Sequence, residues 1–291
     1  MKIGTRGSSL ALVQATQVKQ KLLENVNNLS IEIIKIKTSG DKYINKNLAE
    51  IGGKGLFIKE LEIALLEKKI DIAVHSLKDV PAFFSEDLTI PCILERISPY
   101  DAFISHKYMN MTSLPMHATL ATSAIRRKVQ LLHLRPDLKI VPLRGNVTTR
   151  LINHQSFDGI ILAEAGLIRL SKSHFIKEIL SPQVMLSAVG QGAICIQCRK
   201  NDFAIISILE RINDLTSFIR TSAERSFMKT VNGSCFTPLA ALAELINHST
   251  LYLRCMLASE KNIFFTERTS CIEDAEAIGV DAGLELKEKC S

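Results

Sequence analysis

Residues 70–81 read I-D-I-A-V-H-S-L-K-D-V-P. Ile70, Ile72 and Val74 alternate with Asp71, Ala73 and His75, the period-two pattern of a strand. The preceding residues, Phe57 to Lys69, place Phe57, Leu61, Ala64 and Leu65 on one face at helical spacing. Pro81 forbids any regular continuation. Ser76, Lys78 and Asp79 therefore stand just past the carboxyl end of a strand that follows a helix. Open α/β sheets bind their ligands at that place. A carboxylate beside an ammonium there suits a site that stabilises a cation and handles protons. The plainer alternative is a capped turn with a surface ion pair.

Working outward, the same strand–helix rhythm fills most of the 291 residues, a length that suggests about two domains at roughly 150 residues each. Lys2 to Thr5 is a predicted strand that runs through T-R-G-S-S into a helix. Ala11, Ala15, Val18 and Leu22 make its apolar face, Gln14, Gln17, Lys21 and Glu24 its polar one, and Ser8 or Ser9 is its cap. Arg6 sits at that strand-to-helix turn, where a helix N-terminus also favours an anion. Ile31 to Lys37 is a second strand, apolar on both faces at its start and so expected inside a sheet. Residues 42–55 lack periodicity and contain G-G-K-G. They miss the phosphate-loop spacing, and we read them as a mobile loop carrying Lys54. Leu88 to Glu95 is a strand, and Ser98-Pro99-Tyr100-Asp101 marks a turn and a domain boundary.

A second unit follows: strands at Ala102–Ser105, Thr119–Thr122, Leu138–Leu143 and Gly159–Ala163, with helices at Ala124–Leu134, after R-G-N-V-T-T-R, and at Glu164–Leu170. Ser123 is the candidate cap of the first. Ser187 to Gly192 places glycines on both sides of Gln191 and reads as a hinge, after which Gly192–Gln197 returns a strand to the first sheet. Ser222–Thr230 is a helix, then N-G-S-C-F-T-P puts Cys235 in a tight, accessible loop. Strands at Leu239–Leu245, Leu251–Ala258 and Asn262–Thr269 and a helix at Asp274–Lys289 make a small α+β unit.

The net charge is +6, and its placement is informative. Thr119 to Arg150 holds Arg126, Arg127, Lys128, Arg135, Lys139, Arg144 and Arg150 against Asp137 alone, an excess equal to that of the whole chain. The positive field is local, which suits a compact anion. Arginine forks pair with carboxylates through two parallel hydrogen bonds, so several on separate loops imply a ligand with several carboxylates or phosphates; a solvated basic face is the bland alternative. Trp is absent and aromatics are 5%, against a base-stacking platform. No apolar run approaches the ~18 residues of a membrane span. The start, M-K-I-G-T-R-G-S-S, lacks a signal-peptide layout, so the expected compartment is cytoplasmic and the seven cysteines are expected reduced. Cys195 and Cys198 have no second pair, which removes a zinc site from consideration. No metal, nucleic acid or membrane partner is expected.

Seven separated motifs then fall in one order: T-R-G-S-S-L-A-L at 5–12, G-G-K-G-L-F at 52–57, H-S-L-K-D-V-P at 75–81, T-S-A-I-R-R at 122–127, L-R-G-N-V-T-T-R at 143–150, A-V-G-Q-G-A at 188–193 and G-S-C at 233–235. With them the chain resembles the porphobilinogen deaminase family nearly end to end. That resemblance implies a transferase of tetrapyrrole and haem biosynthesis that joins four porphobilinogen molecules head to tail, releases ammonia and yields hydroxymethylbilane. It implies a covalent dipyrromethane cofactor held as a thioether, which maps onto Cys235. The catalytic aspartate maps onto Asp79. Cofactor contacts map onto Ser76, Lys78, Asp79, Thr122, Ser123, Arg126, Arg127, Arg144 and Gly145, and substrate contacts onto Arg6, Arg144, Arg150, Arg169, Gln191 and Lys54. Ala124 stands where relatives often carry a second serine.

The implied fold is α/β: two doubly wound domains similar to type II periplasmic binding proteins, plus a small α+β C-terminal domain. The expected division is 1–96 with 193–212, then 97–192, then 213–291, in a monomer. Two readings from other classes stand beside it. A two-lobed receptor for a carboxylated small molecule fits the rhythm and the hinge but has no use for an adduct on Cys235. A nucleic-acid binder fits the basic stretch but lacks aromatic interleaving and a recognisable module.

Overall fold

A computed structural model describes residues 1–39, 58–234, 236–259 and 262–290. The Lys54 loop and Cys235 itself lie outside the described residues, as does Phe57. In chain order the first half holds β1 (Lys2–Arg6), α1 (Ser9–Asn25), β2 (Glu32–Ile36), α2 (Lys59–Leu66), β3 (Ile72–Ser76), β4 (Leu88–Ile93), β5 (Asp101–Ile104), β6 (Thr119–Ala121), α3 (Ile125–Leu134) and β7 (Lys139–Val141). The second holds α4 (Val147–Ile152), β8 (Gly159–Ala163), α5 (Glu164–Arg169), β9 (Glu178–Leu180), β10 (Ile194–Arg199), α6 (Phe203–Glu210), α7 (Leu215–Thr230), β11 (Leu239–Leu245), β12 (Thr250–Ala258), β13 (Ile263–Cys271) and α8 (Ala275–Cys290). The chain divides into two compact units, 1–97 with 193–218 and 98–192 with 219–291.

The first unit is a five-stranded sheet in the order β2-β1-β3-β10-β4. β2, β1 and β3 run parallel, and β10 pairs antiparallel with both β3 and β4. Helices cover both faces. Ala15, Val18 and Leu22 of α1 pack with Ile3, Ile72, Val74 and Ile196 on one side; Leu61, Ala64 and Leu65 of α2 pack with Ala73 and Leu88 on the other. β3 and β10, buried on both faces, are the near-continuous apolar runs expected of central strands. β2 corrects the sequence reading. Among the described residues it pairs only with β1 and forms the edge of the sheet, with Glu32 and Lys35 exposed, because an apolar pair at a strand's start does not outweigh the charged residues interleaved after it.

The second unit contains a sheet of the same design, β7-β6-β8-β5-β9, in which β7, β6 and β8 are parallel and β5 lies antiparallel between β8 and β9. Leu131 of α3 packs with Phe103, Leu120 and Ile161 on one face, and Leu151 and Leu167 from α4 and α5 with Ala102, Ala121 and Ile160 on the other. In each sheet the fourth strand follows a chain crossing: β5 comes just after Ser98 and β10 just after Gly192. Gly192 has φ +89°, and a Cβ there would stand 2.2 Å from the Ser98 carbonyl oxygen, so only glycine lets these two strands of chain pass so closely.

The second unit also carries the antiparallel sheet β11-β12-β13, backed by α8 through Ile278, Ala282 and Leu286, all buried. Gly279 brings α8 against α7, where a Cβ would meet the Ala223 carbonyl oxygen at 2.3 Å. α7 begins at Leu215, seven residues earlier than the apolar pattern suggests. Two α/β sheets plus a three-stranded sheet with helices are thus the fold expected from the sequence. No helix among the described residues is long and apolar enough to cross a membrane.

Candidate active site

In the first unit β1 and β3 are parallel neighbours, so their carboxyl ends emerge together. From β1 comes Arg6, half-buried. The Ser8 hydroxyl then caps α1, accepting from the Ala11 amide at 3.3 Å. From β3 comes Ser76, followed by a single 3-10 turn, Leu77–Asp79, closed by the Val80 N–H donating to the Leu77 carbonyl. That turn buries Leu77 and leaves Asp79 exposed and Lys78 half-buried. An open pocket of about 60 Å³ lies here, lined by Arg6, Ser8, Gln14, His75, Ser76 and Asp79 among others.

Gln14 was placed by the sequence on the polar outer face of its helix, and the structure corrects this. It is buried, and its side chain exchanges hydrogen bonds with the Ser76 hydroxyl at 2.8 and 3.1 Å. A glutamine next to an apolar stripe turns inward when a polar group waits there. His75 is buried too, its Nε2 3.2 Å from Gln197 Oε1, while Gln197 Nε2 donates to Glu62 Oε1 at 2.9 Å. Burial lowers the His75 pKa to about 4, opposed by the Gln197 hydrogen bond and aided by the nearby Arg6 charge. Burial raises the Glu62 carboxyl, opposed by Gln197. The sequence quoted His75 within a motif but gave neither it nor Gln197 a role; the only available signal was a histidine on an otherwise apolar strand.

In the second unit Arg126 and Arg127 open α3 and are both buried. Both converge on Asp101, the first residue of β5, which has no exposed surface. Arg126 donates to both Asp101 oxygens at 2.7 and 3.1 Å, and Arg127 donates to one at 2.7 Å. Arg126 also reaches the Leu186 carbonyl and Gln191 Oε1, and Arg127 the Ile161 carbonyl. Gln191, buried, donates to Pro99 O and Asp101 Oδ1 at 2.7 and 2.9 Å. Burial pushes the Asp101 carboxyl up, but the two guanidiniums outweigh it and hold it well below the usual carboxylate range. The basic stretch is thus partly neutralised from within: Asp101 answers the first pair and Asp137 answers Arg135 at 2.6 Å. Asp101 was missed because a lone acid in a turn gives no hint of arginines twenty-five residues away.

The remaining arginines lie differently. Arg144 is exposed in the loop before α4. Gly145 beside it has φ +101°, and its carbonyl accepts from Arg150 Nε at 2.8 Å. Arg169, on the last turn of α5, donates to the Gly192 carbonyl at 2.9 Å, and burial lowers its pKa to about 10. Thr122 Oγ1 accepts from the Ala124 amide at 3.2 Å. Ser123 does not cap α3. Ala124 is the cap residue, with no side-chain bond, and the Ser123 hydroxyl is taken by Leu143, donating to its carbonyl and accepting from its amide. On either side of Cys235 the chain is tightly folded: Gly233 N–H donates to Met228 O at 2.9 Å, and Ser234 N–H to Thr237 Oγ1 at 3.0 Å. Cys195 and Cys198 are core residues, and no metal-binding group of side chains occurs among the described residues.

Fold and site together define an α/β protein with a carboxylate at the end of a central strand and guanidiniums placed on separate loops. Residues 1–207 match the family model "Porphobilinogen deaminase, dipyromethane cofactor binding domain", and 218–288 match "Porphobilinogen deaminase, C-terminal domain". The chain belongs to the porphobilinogen deaminase family. It is 76% identical over 290 residues to a porphobilinogen deaminase of Wolbachia sp. subsp. Drosophila simulans, covering 100% of this chain and 99% of that one. It is 54% identical to one of Ehrlichia chaffeensis, covering 100% and 98%. Among solved structures, a periplasmic substrate-binding protein of an ABC transporter from Coxiella burnetii matches at TM-score 0.47 and 14% identity, over 77% of this chain and 96% of that one; so loose a superposition says nothing more about this chain.

Proposed function

We propose that this chain is a hydroxymethylbilane synthase, a transferase that joins four porphobilinogen molecules head to tail with release of ammonia. The observation that carries the mechanism is Asp79: an exposed carboxylate at the carboxyl end of β3, lining a pocket with Arg6 and Ser76. Departure of ammonia breaks the C–N bond of the aminomethyl group, and the electron pair leaves with nitrogen. The positive charge left on the substrate is an azafulvenium cation, which a fixed carboxylate stabilises as it forms. Asp79 supplies that carboxylate and accepts from the pyrrole N–H.

The residues fit a dipyrromethane, whose side chains end in carboxylates. Arg127 keeps a buried Nε–H with no hydrogen-bond partner among the described residues, and Thr122, Ser123, Arg126, Arg144 and Gly145 lie on or beside the same loops and helix starts. Ser76, Lys78 and Asp79 do so in the first unit, and Cys235 is the proposed thioether attachment point. When bound, the group supplies the free α-position to which the first substrate is joined. Arg6, Arg150, Arg169, Gln191 and Lys54 are the proposed substrate contacts. We keep the division into 1–96 with 193–212, 97–192 and 213–291 as a proposal, supported by the separate three-stranded sheet, and propose a cytoplasmic monomer.

The test is an intact mass. Protein purified from cells that make porphobilinogen should exceed its chain by one dipyrromethane, thiol reductants should not remove it, and Cys235→Ser should lack it. An unmodified wild type together with an active Cys235→Ser protein contradicts the proposal.

A further inference from the structure

Among the polar side chains that line the pocket of the first unit, His75 has no task in the reaction described above. His75 ends the buried stretch of β3 and is 5% exposed. The Gln197 amide is oriented from its far side, where its Nε2 donates to Glu62. It therefore offers its oxygen to His75 Nε2, and that ring nitrogen carries the proton. Nδ1 is then an unprotonated acceptor. The hydrogen bond that His75 makes among the described residues is the one at Nε2, and His75 lines the pocket that Asp79 and Arg6 also line. Gln14 and Ser76, two other polar groups that line the pocket, are hydrogen-bonded to each other.

The substrate's own donors narrow what Nδ1 can meet. Porphobilinogen brings two kinds of N–H donor, the pyrrole N–H, which the reading above gives to Asp79, and the ammonium of its aminomethyl group. We infer that His75 is a further substrate-contacting residue, whose Nδ1 accepts a hydrogen bond from the ammonium of the substrate's aminomethyl group; this rests on the deaminase reading. The amine has to leave as neutral ammonia, so it must stay protonated until the C–N bond breaks. An acceptor basic enough to take that proton early would leave a poor leaving group. With a pKa of about 4, His75 is far too weak a base to deprotonate an alkylammonium, whose ordinary pKa is about 10.4. Nδ1 aims the group without taking its proton; nitrogen leaves with the electron pair, and the cation remains facing Asp79.

Two substitutions separate this from a packing role. The side-chain amide of His75→Asn falls near the Nδ1 position, and that of His75→Gln near the Nε2 position. In the cofactor-loaded enzyme, His75→Asn should retain most of kcat/KM for porphobilinogen. His75→Gln should lose about 10- to 100-fold, the worth of a hydrogen bond to a charged group, carried mainly by KM because the contact is made before the bond breaks. If Gln is as good as Asn or better, the ring serves Gln197 alone and the inference falls. Should neither variant fold, the ¹⁵N resonance of His75 Nδ1 in the wild type decides: it should report an unprotonated nitrogen and move when excess porphobilinogen is added, and a protonated or unmoved Nδ1 overturns the inference. A wild type with no activity on porphobilinogen would instead remove the deaminase reading itself.

Discussion

Asp79 and Asp101 are both carboxylates with basic neighbours, one in each unit, and they are used in opposite ways. Asp79 is exposed on a 3-10 turn at the end of a strand. Asp101 has no exposed surface, and two guanidiniums and the Gln191 amide surround it. An exposed carboxylate keeps its charge available to whatever enters the pocket. A buried one that spends both oxygens on arginines is structural: it fixes Arg126 and Arg127 at the start of α3 and ties β5 to Gln191. Removing one partner of such a cluster strands uncompensated charge in a dry interior. On the role proposed for Asp79, removing the exposed charge is expected to cost the fold little and the chemistry much.

The comparison breaks or holds on two isosteric changes. The larger expected effect is Asp101→Asn. With the counter-charge gone, stability should fall by roughly 3–5 kcal/mol, read from urea unfolding. An Asn variant as stable as wild type would mean that Asp101 does not hold the arginines. Next comes Asp79→Asn. It should leave the urea midpoint within about 0.5 kcal/mol of wild type while single-turnover rate drops ~10²–10³-fold, measured after the mass confirms the adduct. Asp79→Glu, which keeps the charge one methylene further out, should retain more activity than Asn. A capped-turn role for Asp79 predicts the opposite order.

The difference between the two sites also explains what could be read from the sequence. Sites at strand ends are local in sequence. Residues 70–81 carry the strand, its end and its polar cluster in twelve consecutive positions, so Ser76, Lys78 and Asp79 were legible there, as was the Ser8 cap beside Arg6. The strand–helix rhythm gave both sheets, because alternation and helical spacing are short-range signals. Three features were not legible. β2 is an edge strand, and sheet order depends on which strands cross over, not on a strand's own pattern. Gln14 turns inward because Ser76, sixty-two residues away, offers it a partner. The pairing of Asp101 with Arg126 and Arg127 joins a turn to a helix start across two strands. Buried polar networks are long-range, and no window of sequence contains both halves.

The smallest effect separates the units by pH. His75 has its folded pKa lowered to about 4 from 6.5, mainly by burial. Between pH 6.5 and about 4 the unfolded chain binds a proton at this ring and the folded chain refuses it. Stability therefore declines as pH falls through that window, by at most ~1.4 kcal/mol per pH unit, and this contribution levels off below about 4. Asp101 works lower. Its folded pKa is held well below the ordinary 3.8, so its contribution is intact above that value and is lost as pH falls further. Glu62 opposes His75, since burial raises its carboxyl above 4.5 and a raised carboxyl loses stability as pH rises. The difference between wild type and His75→Gln, both titrated by urea unfolding from pH 7 to pH 4, isolates the histidine. That difference should shrink as pH falls towards 4, because the wild type alone suffers the penalty of keeping a neutral ring. A difference that stays constant with pH would show that His75 takes up its proton in the folded state as readily as in the unfolded one.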